Sequence, residues 1–369
     1  MRSKLKPFDY TLFTVVLIIF GLGLLMVLSA SSHLGMLSYG TPYYFFIRQL
    51  IFGVAGIGVM LFLSRWDYKF YKKWSGLIFL CAIFLLGLVL IPGVGSGDVR
   101  GAKRWINIKF FNLQPSEVAK LAVIIFLSAR ISMNPEKIKL FWRGLVPYLV
   151  LIGVIVALLY LEPHYSALGL VAIISVVILF VGGAKLIHFV ILTLAMVPVG
   201  ILGIYISDYR LDRITGFLDP WADMKDTGWQ VVQSLYALGS GGIFGLGLGQ
   251  SRQKYSYLPD AHNDFILAIL GEELGLIGMI IVMVLFAILI WRGFVIATKA
   301  PDMFSSLLAT GITMLIAVQL VLNIAIITSW FPVTGMPVPF MSYGGTSMII
   351  FMASVGILLN ISRHQRTEK

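Results

Sequence analysis

The sequence predicts an all-α polytopic membrane protein of about ten transmembrane helices, with one large structured extracellular loop between helices seven and eight. Three observations predict this class. Apolar runs of about 20 residues recur along the chain, each long enough to cross a hydrocarbon core of about 30 Å. Of the 369 residues, 59% are hydrophobic and only 12% are charged, whereas a soluble domain has roughly 25% charged residues. Finally, Lys and Arg recur in the loops between the apolar runs.

The predicted spans follow the apolar runs, and residues 1–369 form a single membrane domain. In order, the spans cover residues 10–30, 45–63, 74–91, 116–131, 145–161, 166–181, 186–206, 264–291, 304–330 and 342–361. The extracellular loop comprises residues 207–263, and residues 362–369 are a cytoplasmic tail. The basic N-terminus enters span one without a small-residue cleavage site, which indicates an uncleaved span. The single cysteine, Cys81, excludes a disulfide framework.

Basic residues set the predicted orientation. They precede span one and follow spans two, four, six, eight and ten, so the positive-inside rule places these loops and both termini in the cytoplasm. Residues 32–43 contain no Lys or Arg, as expected of an outer loop. Because the cations are spread over many loops, the net charge of +11 indicates membrane topology rather than binding to nucleic acid.

Two loops that this orientation places outside the membrane carry cations, contrary to the positive-inside rule. Long outer loops translocate regardless of charge, which is one explanation. The other is that the cations hold an anionic ligand, since Arg and Lys are the usual partners of phosphate. The cations concerned are Arg100, Lys103, Arg104 and Lys109 in residues 92–115, and Arg210, Arg213, Lys225, Arg252 and Lys254 in residues 207–263.

The large loop is not of low complexity. Residues 229–238 have apolar side chains at helical spacing and predict an amphipathic helix lying against the membrane. The glycines of residues 239–249 could cradle phosphate through backbone amides or form tight turns, and the sequence leaves both open. Trp105 beside the first cationic loop is either an interfacial anchor or a wall of a sugar-binding groove.

Three acids occupy the start of span eight. Asp264 stands at its mouth, and a continuous helix would place Glu272 about 12 Å deeper. Charged groups at membrane depth indicate function and need a partner. Asp264 is either a helix N-cap or a general base whose basicity requires desolvation, and His262 is the other proton acceptor nearby.

Span four carries Glu117 and Lys120, which share a helix face three residues apart. They form either a self-neutralising pair or a cluster in which Lys120 meets Glu272 or Glu273 across helices. After span nine, Pro332, Pro337 and Pro339 exclude a continuous helix. That stretch is therefore expected to line a cavity or re-enter the membrane.

Four runs together resemble the SEDS family (shape, elongation, division and sporulation), the FtsW, RodA and SpoVE group. They are residues 101–120, 213–259, 261–278 and 332–347, and the SRQK run and the ending GILLNISRH look more like the division and sporulation branch. The resemblance implies a peptidoglycan glycosyltransferase that polymerises lipid II at the outer face of the cytoplasmic membrane, at a division septum or forespore membrane. It also implies as partners the nascent glycan strand, a class B penicillin-binding protein, and divisome or sporulation proteins.

The resemblance also implies site residues. The catalytic aspartate falls on Asp264. Substrate contacts are expected at Lys103, Arg104, Trp105, Glu117, Lys120, Arg213, Gln233, Ser234, Lys254, His262, Ser342 and Tyr343. Many relatives carry a Gln-Pro-Asp run after span five, where this chain has Glu162, Pro163 and His164; the role of that aspartate would fall to Glu162 or His164.

The implied mechanism uses Asp264 to remove the proton of the acceptor GlcNAc C4 hydroxyl. The oxygen then attacks C1 of the donor MurNAc with inversion, while cations, with or without a divalent Mg or Mn ion, neutralise the leaving pyrophosphate. Two other functions remain open at this stage: a lipid II flippase, for which a buried path of Lys120, Glu272 and Glu273 would be suited, and a non-catalytic scaffold that activates the transpeptidase.

Overall fold

The computed structural model describes residues 7–97, 103–108, 111–194, 216–222, 224 and 228–365. Its helices are α1 (Tyr10–Tyr39), α2 (Tyr44–Leu63), α3 (Lys69–Leu90), α4 (Pro115–Met133), α5 (Val146–Leu161), α6 (Tyr165–Val181), α7 (Trp229–Gly241), α8 (Ile266–Thr298), α9 (Met303–Ile327) and α10 (Gly345–Arg363). A 3-10 turn (Lys137–Lys139) and a π turn (Phe141–Leu145) lead into α5.

Nine of the ten predicted spans fall on α1–α6 and α8–α10. Within the described residues, seven helices are long and apolar enough to cross a membrane, and α6 is a shorter apolar helix. Helix α4 is also long enough to cross a membrane, but it is not counted among the seven because it is less apolar and carries three charged residues, Glu117, Lys120 and Arg130. Of predicted span seven, residues 186–194 are helical and the rest lies outside the described residues. The helical membrane fold is confirmed, whereas the count of ten spans stays a prediction.

One end of the bundle is fixed by polar caps, and we call it the Asp9 end. Asp9 caps α1 through the Leu12 amide at 3.0 Å and pairs with Arg292 of α8. Asp302 caps α9 and accepts the Tyr68 hydroxyl at 2.6 Å. The first contact ties the start of α1 to α8, and the second ties the start of α9 to the turn before α3.

The opposite end, the Asp264 end, carries a small antiparallel sheet that the sequence did not predict. Its strands β1 (Gly95–Gly97), β2 (Lys103–Ile108) and β3 (Phe111–Leu113) pair in the order β1-β2-β3. The Thr346 hydroxyl of α10 donates to the Asn112 carbonyl at 2.8 Å and accepts the Gln114 amide at 3.3 Å. The described strands within residues 92–115 therefore form a small sheet that is held on the bundle.

Helix α8 is broken at Gly275, whose φ of 65° and ψ of −165° are not helical. Around the break, the amides of Leu246 and Gly247 donate to the carbonyls of Glu272 and Glu273, both at 2.9 Å. In return, the amides of residues 276 and 277 donate to the carbonyls of residues 242 and 243 at 3.0 and 3.2 Å. Non-helical backbone inside a membrane protein requires such internal partners. The glycine-rich run thus forms tight turns, and its amides at residues 246 and 247 are committed to α8 rather than to phosphate.

Helix α7 confirms the predicted helix but not its predicted contact with the membrane. Its apolar residues Val231, Val232 and Ala237 are buried, and it packs on α8 and α9. A side chain at Gly241 would overlap the Gly271 carbonyl, which shows how closely the two backbones approach. The amphipathic face therefore serves protein packing.

We expect Gly245→Ala to lower the thermal stability of the purified protein. Gly245 has a φ of +81°, and a Cβ there would lie 2.2 Å from the Glu273 carbonyl oxygen. The left-handed conformation alone should cost about 1–3 kcal/mol, and the backbone overlap adds to that. Gly249→Ala is the matched control, because Gly249 has a φ of +78° but open space around it. Equal losses of melting temperature in the two variants would show that the close approach to α8 contributes nothing.

Candidate active site

Asp264 lies at the Asp264 end, just before α8 and half-buried. The N-cap of α8 is Phe265, whose side chain makes no capping hydrogen bond, so Asp264 does not stand at the cap position. A Cβ on Gly335 would lie 3.2 Å from Asp264 Oδ2, and Gly335 has a φ of +69°. The carboxylate therefore rests against the backbone of the proline-rich loop at a position that favours glycine.

That proline-rich loop, residues 331–344, is held by polar side chains from several helices. Gln319 Nε2 and Asn323 Nδ2 of α9 donate to the carbonyls of Pro337 and Met336, both at 2.7 Å. Asn323 Nδ2 also donates to the Asp264 carbonyl at 2.7 Å. One buried amide therefore fixes the catalytic candidate and the loop in a common position, as pre-organisation of a site requires. The predicted non-helical stretch is confirmed.

Glu117 and Lys120 form the self-neutralising pair that their spacing allows. Lys120 Nζ lies 2.7 Å from Glu117 Oε1, and both side chains are 4% exposed. Lys120 also donates to Gln319 Oε1 at 3.3 Å, and its ammonium lies 5.8 Å from the centre of the Phe351 ring. Through Gln319 the pair is connected to the loop that contacts Asp264.

The alternative meeting of Lys120 with Glu272 or Glu273 is wrong. Glu272 accepts hydrogen bonds from the Ser251 hydroxyl at 2.5 Å and the Arg252 amide at 3.0 Å. Glu273 accepts from the Ser29 hydroxyl at 2.5 Å and pairs with Lys254 Nζ at 3.4 Å. Both acids thus hold the SRQK turn. Lys254, a predicted substrate contact, is buried in this ion pair.

The depth of Glu272 below Asp264 stays a prediction. Residues 266–274 are helical, and the break in α8 at Gly275 comes after Glu272 and Glu273.

Arg104 of β2 reaches the turn between α5 and α6. Its Nη2 donates to the Pro163 carbonyl at 2.6 Å. Glu162 and His164 on either side are buried. Burial raises the pKa of Glu162 to about 8, although nearby Arg104 acts in the opposite direction. Burial, with help from Arg104 and Lys120, lowers the pKa of His164 to about 3.

His262, the other proton acceptor near Asp264, is buried. Burial lowers its pKa to about 4, so it is neutral near pH 7. Its ring lies 5.6 Å from the ring of Tyr343 and 4.7 Å from that of Phe45, and its carbonyl accepts the Tyr343 amide at 3.0 Å. Arg48 of α2, which donates to the Tyr44 hydroxyl at 2.7 Å, also interacts with Tyr343 and brings a further cation to this end.

The remaining predicted residues are placed as follows. The Ser342 hydroxyl donates to the Asn263 carbonyl at 2.5 Å, and the Ser234 hydroxyl of α7 donates to the Ile327 carbonyl at 2.9 Å. Gln233 is buried in α7, and Trp105 is half-buried in β2, opposite Ser96. The side chain of Lys103 and all of Arg213 lie outside the described residues. Whether any of these residues contacts substrate stays a prediction.

The sequence reasoning missed the buried amides that organise the site. Gln319 and Asn323 fix the proline-rich loop from α9, and Gln49 of α2 donates to the Ser342 carbonyl at 2.9 Å and accepts the Gly344 amide at 3.1 Å. Gln and Asn inside an otherwise apolar span were the available signal, because buried amides need hydrogen-bond partners.

Within the described ranges, no group of three or more His, Cys, Asp or Glu side chains could hold a metal ion. Mg²⁺ is often bound by one or two carboxylates together with substrate phosphates. Asp264 would therefore fit a divalent cation only jointly with a phosphate-bearing substrate.

The sequence profile of the FtsW, RodA and SpoVE family, described as cell cycle protein, matches residues 10–367. The chain belongs to this family. Stage V sporulation protein E of Bacillus subtilis is 43% identical over 99% of this chain and 100% of its own length. The probable peptidoglycan glycosyltransferase FtsW of Trichlorobacter lovleyi is 42% identical over 97% of this chain and 94% of its own length.

Solved structures of the family have the same fold. A chain of a peptidoglycan synthase complex superposes with a TM-score of 0.80 at 24% identity, covering 96% of this chain and 98% of that one. The rod shape determining protein RodA of Thermus thermophilus gives a TM-score of 0.72 at 24% identity, covering 98% of each chain. This SEDS chain is thus a multi-pass membrane protein of the RodA fold.

Proposed function

We propose that this SEDS protein is a peptidoglycan glycosyltransferase that polymerises lipid II into glycan strands at the outer face of the cytoplasmic membrane. The observation that carries the proposal is the convergence of an acid and two cations on one end of the bundle. Asp264 rests on the proline-rich loop at Gly335, Lys120 reaches that loop through Gln319, and Arg104 binds the turn before α6. The Ser166 hydroxyl of α6 donates to the Thr334 carbonyl next to Gly335, which joins Arg104's turn to the same loop.

In the proposed reaction, Asp264 accepts the proton of the acceptor GlcNAc C4 hydroxyl as the C4 oxygen attacks MurNAc C1 of the donor. The C1–O bond to the lipid pyrophosphate breaks on the opposite face, so the configuration at C1 inverts. A positioned general base contributes about 10² to 10⁴ in rate. Arg104 and Lys103 would stabilise the negative charge that develops on the leaving pyrophosphate. A divalent Mg or Mn ion, held by Asp264 together with the pyrophosphate, would supply the same charge neutralisation.

The structure removes the feature that suggested a flippase. That alternative relied on a buried polar path from Lys120 to Glu272 and Glu273, and those acids instead hold residues 251–254. A non-catalytic scaffold would not require an acid that faces a loop also reached by cations. The experiment below distinguishes a scaffold from an enzyme.

The test supplies lipid II on the outer side of proteoliposomes that contain the purified protein. Polymer from outer-facing substrate, absent from empty liposomes, is the expected result. Movement of lipid II across the bilayer without polymer would favour the flippase. Polymer that forms only after a class B penicillin-binding protein is added would show a dependent enzyme, and no polymer even then would favour the scaffold.

The same proposal extends to partners and place. The relatives reported above are named as a sporulation protein and as probable FtsW enzymes, which supports action at a forespore membrane or division septum. The distribution of basic residues supports a cytoplasmic location of both termini. A class B penicillin-binding protein, working with divisome or sporulation proteins, would crosslink the nascent strands that this chain polymerises.

A further inference from the structure

A cavity of about 400 Å³ lies at the Asp9 end, the end of the bundle opposite Asp264. Its volume is within the range of about 300–1,000 Å³ that is usual for small-ligand pockets. Three lysines from the first five residues of α3 line it, and we call them the α3 lysines. The turn before α3, the end of α4 and the turn before α9 complete the wall. The lining residues are Tyr68, Lys69, Lys72, Lys73, Met133 and Asp302.

The α3 lysines give this cavity a net positive charge. Two of them are exposed and Lys72 is half-buried, and within the described ranges none of the three forms an ion pair. Asp302 is the one acid among the described lining residues, and it already accepts the Tyr68 hydroxyl at 2.6 Å. Asp67, outside the lining, accepts the main-chain amide of Lys69 at 2.9 Å. Three cations therefore face one carboxylate in the cavity, which favours an anionic ligand.

Aromatic side chains place the cavity at the edge of the membrane. Trp66, Phe70 and Trp74 are 40–41% exposed, and the centres of neighbouring rings lie 5.3 and 6.2 Å apart. Exposed tryptophans concentrate at the membrane–water interface. Lys73 Nζ lies 5.7 Å from the centre of the Trp74 ring, so the lysines share this level. The cavity thus lies at the level of the lipid headgroups.

An exposed apolar strip continues from the lysines along α3. Lys73, Leu77, Leu80 and Phe84 follow one another at spacings of three or four residues and therefore share a face of the helix. The three apolar side chains, which we call the α3 strip, are 52%, 61% and 65% exposed. A soluble phosphate would make no use of this strip. The acyl chains of a lipid whose phosphate binds the lysines would lie along it.

We propose that this cavity binds the headgroup of an anionic phospholipid of the cytoplasmic leaflet, with the α3 lysines holding the phosphate and the α3 strip contacting the acyl chains. The distribution of basic residues supports a cytoplasmic location of the Asp9 end. Basic pockets between transmembrane helices on that side are typical sites for anionic headgroups. The site does not depend on the proposed polymerisation, because it lies at the other end of the bundle from Asp264.

The test measures the binding of phosphatidylglycerol and phosphatidylcholine to the purified full chain by native mass spectrometry. The wild type should bind phosphatidylglycerol more tightly. The triple variant Lys69→Gln, Lys72→Gln and Lys73→Gln should raise the apparent Kd for phosphatidylglycerol about 100-fold and leave that for phosphatidylcholine unchanged. Each lysine beside an anionic headgroup contributes about fivefold in affinity.

The matched control removes three other exposed lysines from loops predicted to lie on the same side. The variant Lys137→Gln, Lys139→Gln and Lys185→Gln should bind phosphatidylglycerol as the wild type does. Melting temperatures show whether each variant is folded. If the triple variant of α3 does not fold, Lys73→Gln alone changes one exposed side chain and should raise the apparent Kd about fivefold.

Millimolar inorganic phosphate distinguishes the source of the anion. It should leave phosphatidylglycerol bound, because it has no acyl chains to contact the α3 strip. Displacement of the lipid by phosphate would overturn the lipid assignment and indicate a site for a soluble phosphate. Equal affinity of the wild type and the folded α3 variant for phosphatidylglycerol, or an equal loss in the control variant, would overturn the proposal. The same holds if the wild type binds both lipids equally.

Discussion

Asp264→Asn should lower the rate of lipid II polymerisation by about 10² to 10⁴, the contribution of a positioned general base. An amide of the same shape cannot accept the hydroxyl proton, whereas the backbone contact that fixes this residue is kept, because Asn323 binds the Asp264 carbonyl rather than its side chain. The side chain also does not occupy the N-cap position of α8. The variant is therefore expected to fold with a melting temperature close to that of the wild type.

The measurement compares turnover of purified wild type, Asp264→Asn and Asp219→Asn at saturating lipid II. Asp219 is the control acid, because it lies exposed in the large loop and its carboxylate accepts the amides of Trp221 and Ala222 at 3.2 Å. The Asp219→Asn variant should retain wild-type activity. Full polymerisation by a well-folded Asp264→Asn would remove the general base from the mechanism and leave only charge stabilisation by Arg104 and its neighbours.

The parts of this molecule that sequence could predict are those set by local pattern. The lengths of the apolar runs predicted α1–α6 and α8–α10 because a membrane demands about 20 apolar residues per span. The three-residue spacing of Glu117 and Lys120 gave an ion pair as one of two possible arrangements, because such residues share a helix face. The prolines after α9 predicted a non-helical loop because proline lacks an amide proton.

The parts that sequence could not predict depend on contacts between distant segments. The pairing of residues 242–247 with 272–277 breaks α8 at Gly275, and nothing local distinguishes this glycine from Gly271 or Gly278. Once the helix is broken, Glu272 and Glu273 lie beside the SRQK turn instead of near α4. In the same way, the partners of Gln319 and Asn323 follow from how the proline-rich loop returns over α9.

Lys120→Met should destabilise the protein by about 3–5 kcal/mol, the usual consequence of leaving one charge of a buried pair without its partner. The side chain of Glu117, which is 4% exposed, would then lie beside an uncharged thioether. Gln319 is a neutral amide and cannot replace the lost ammonium. The double variant Glu117→Gln with Lys120→Met removes both charges and should recover most of the loss. The free energy of unfolding, measured for the four members of this cycle in mixed micelles, gives the coupling energy.

The chain supplies a matched pair as control. Glu136 and Lys139 have the same three-residue spacing and the same 2.7 Å separation, but their side chains are 81% and 49% exposed. Lys139→Met should therefore change stability by only about 0–1 kcal/mol. If the double variant at 117 and 120 were as unstable as Lys120→Met alone, charge compensation would not be the role of the pair. The loss would then come from the Lys120 contacts with Gln319 and Phe351, which link α4 to the loop that carries Gly335 against Asp264.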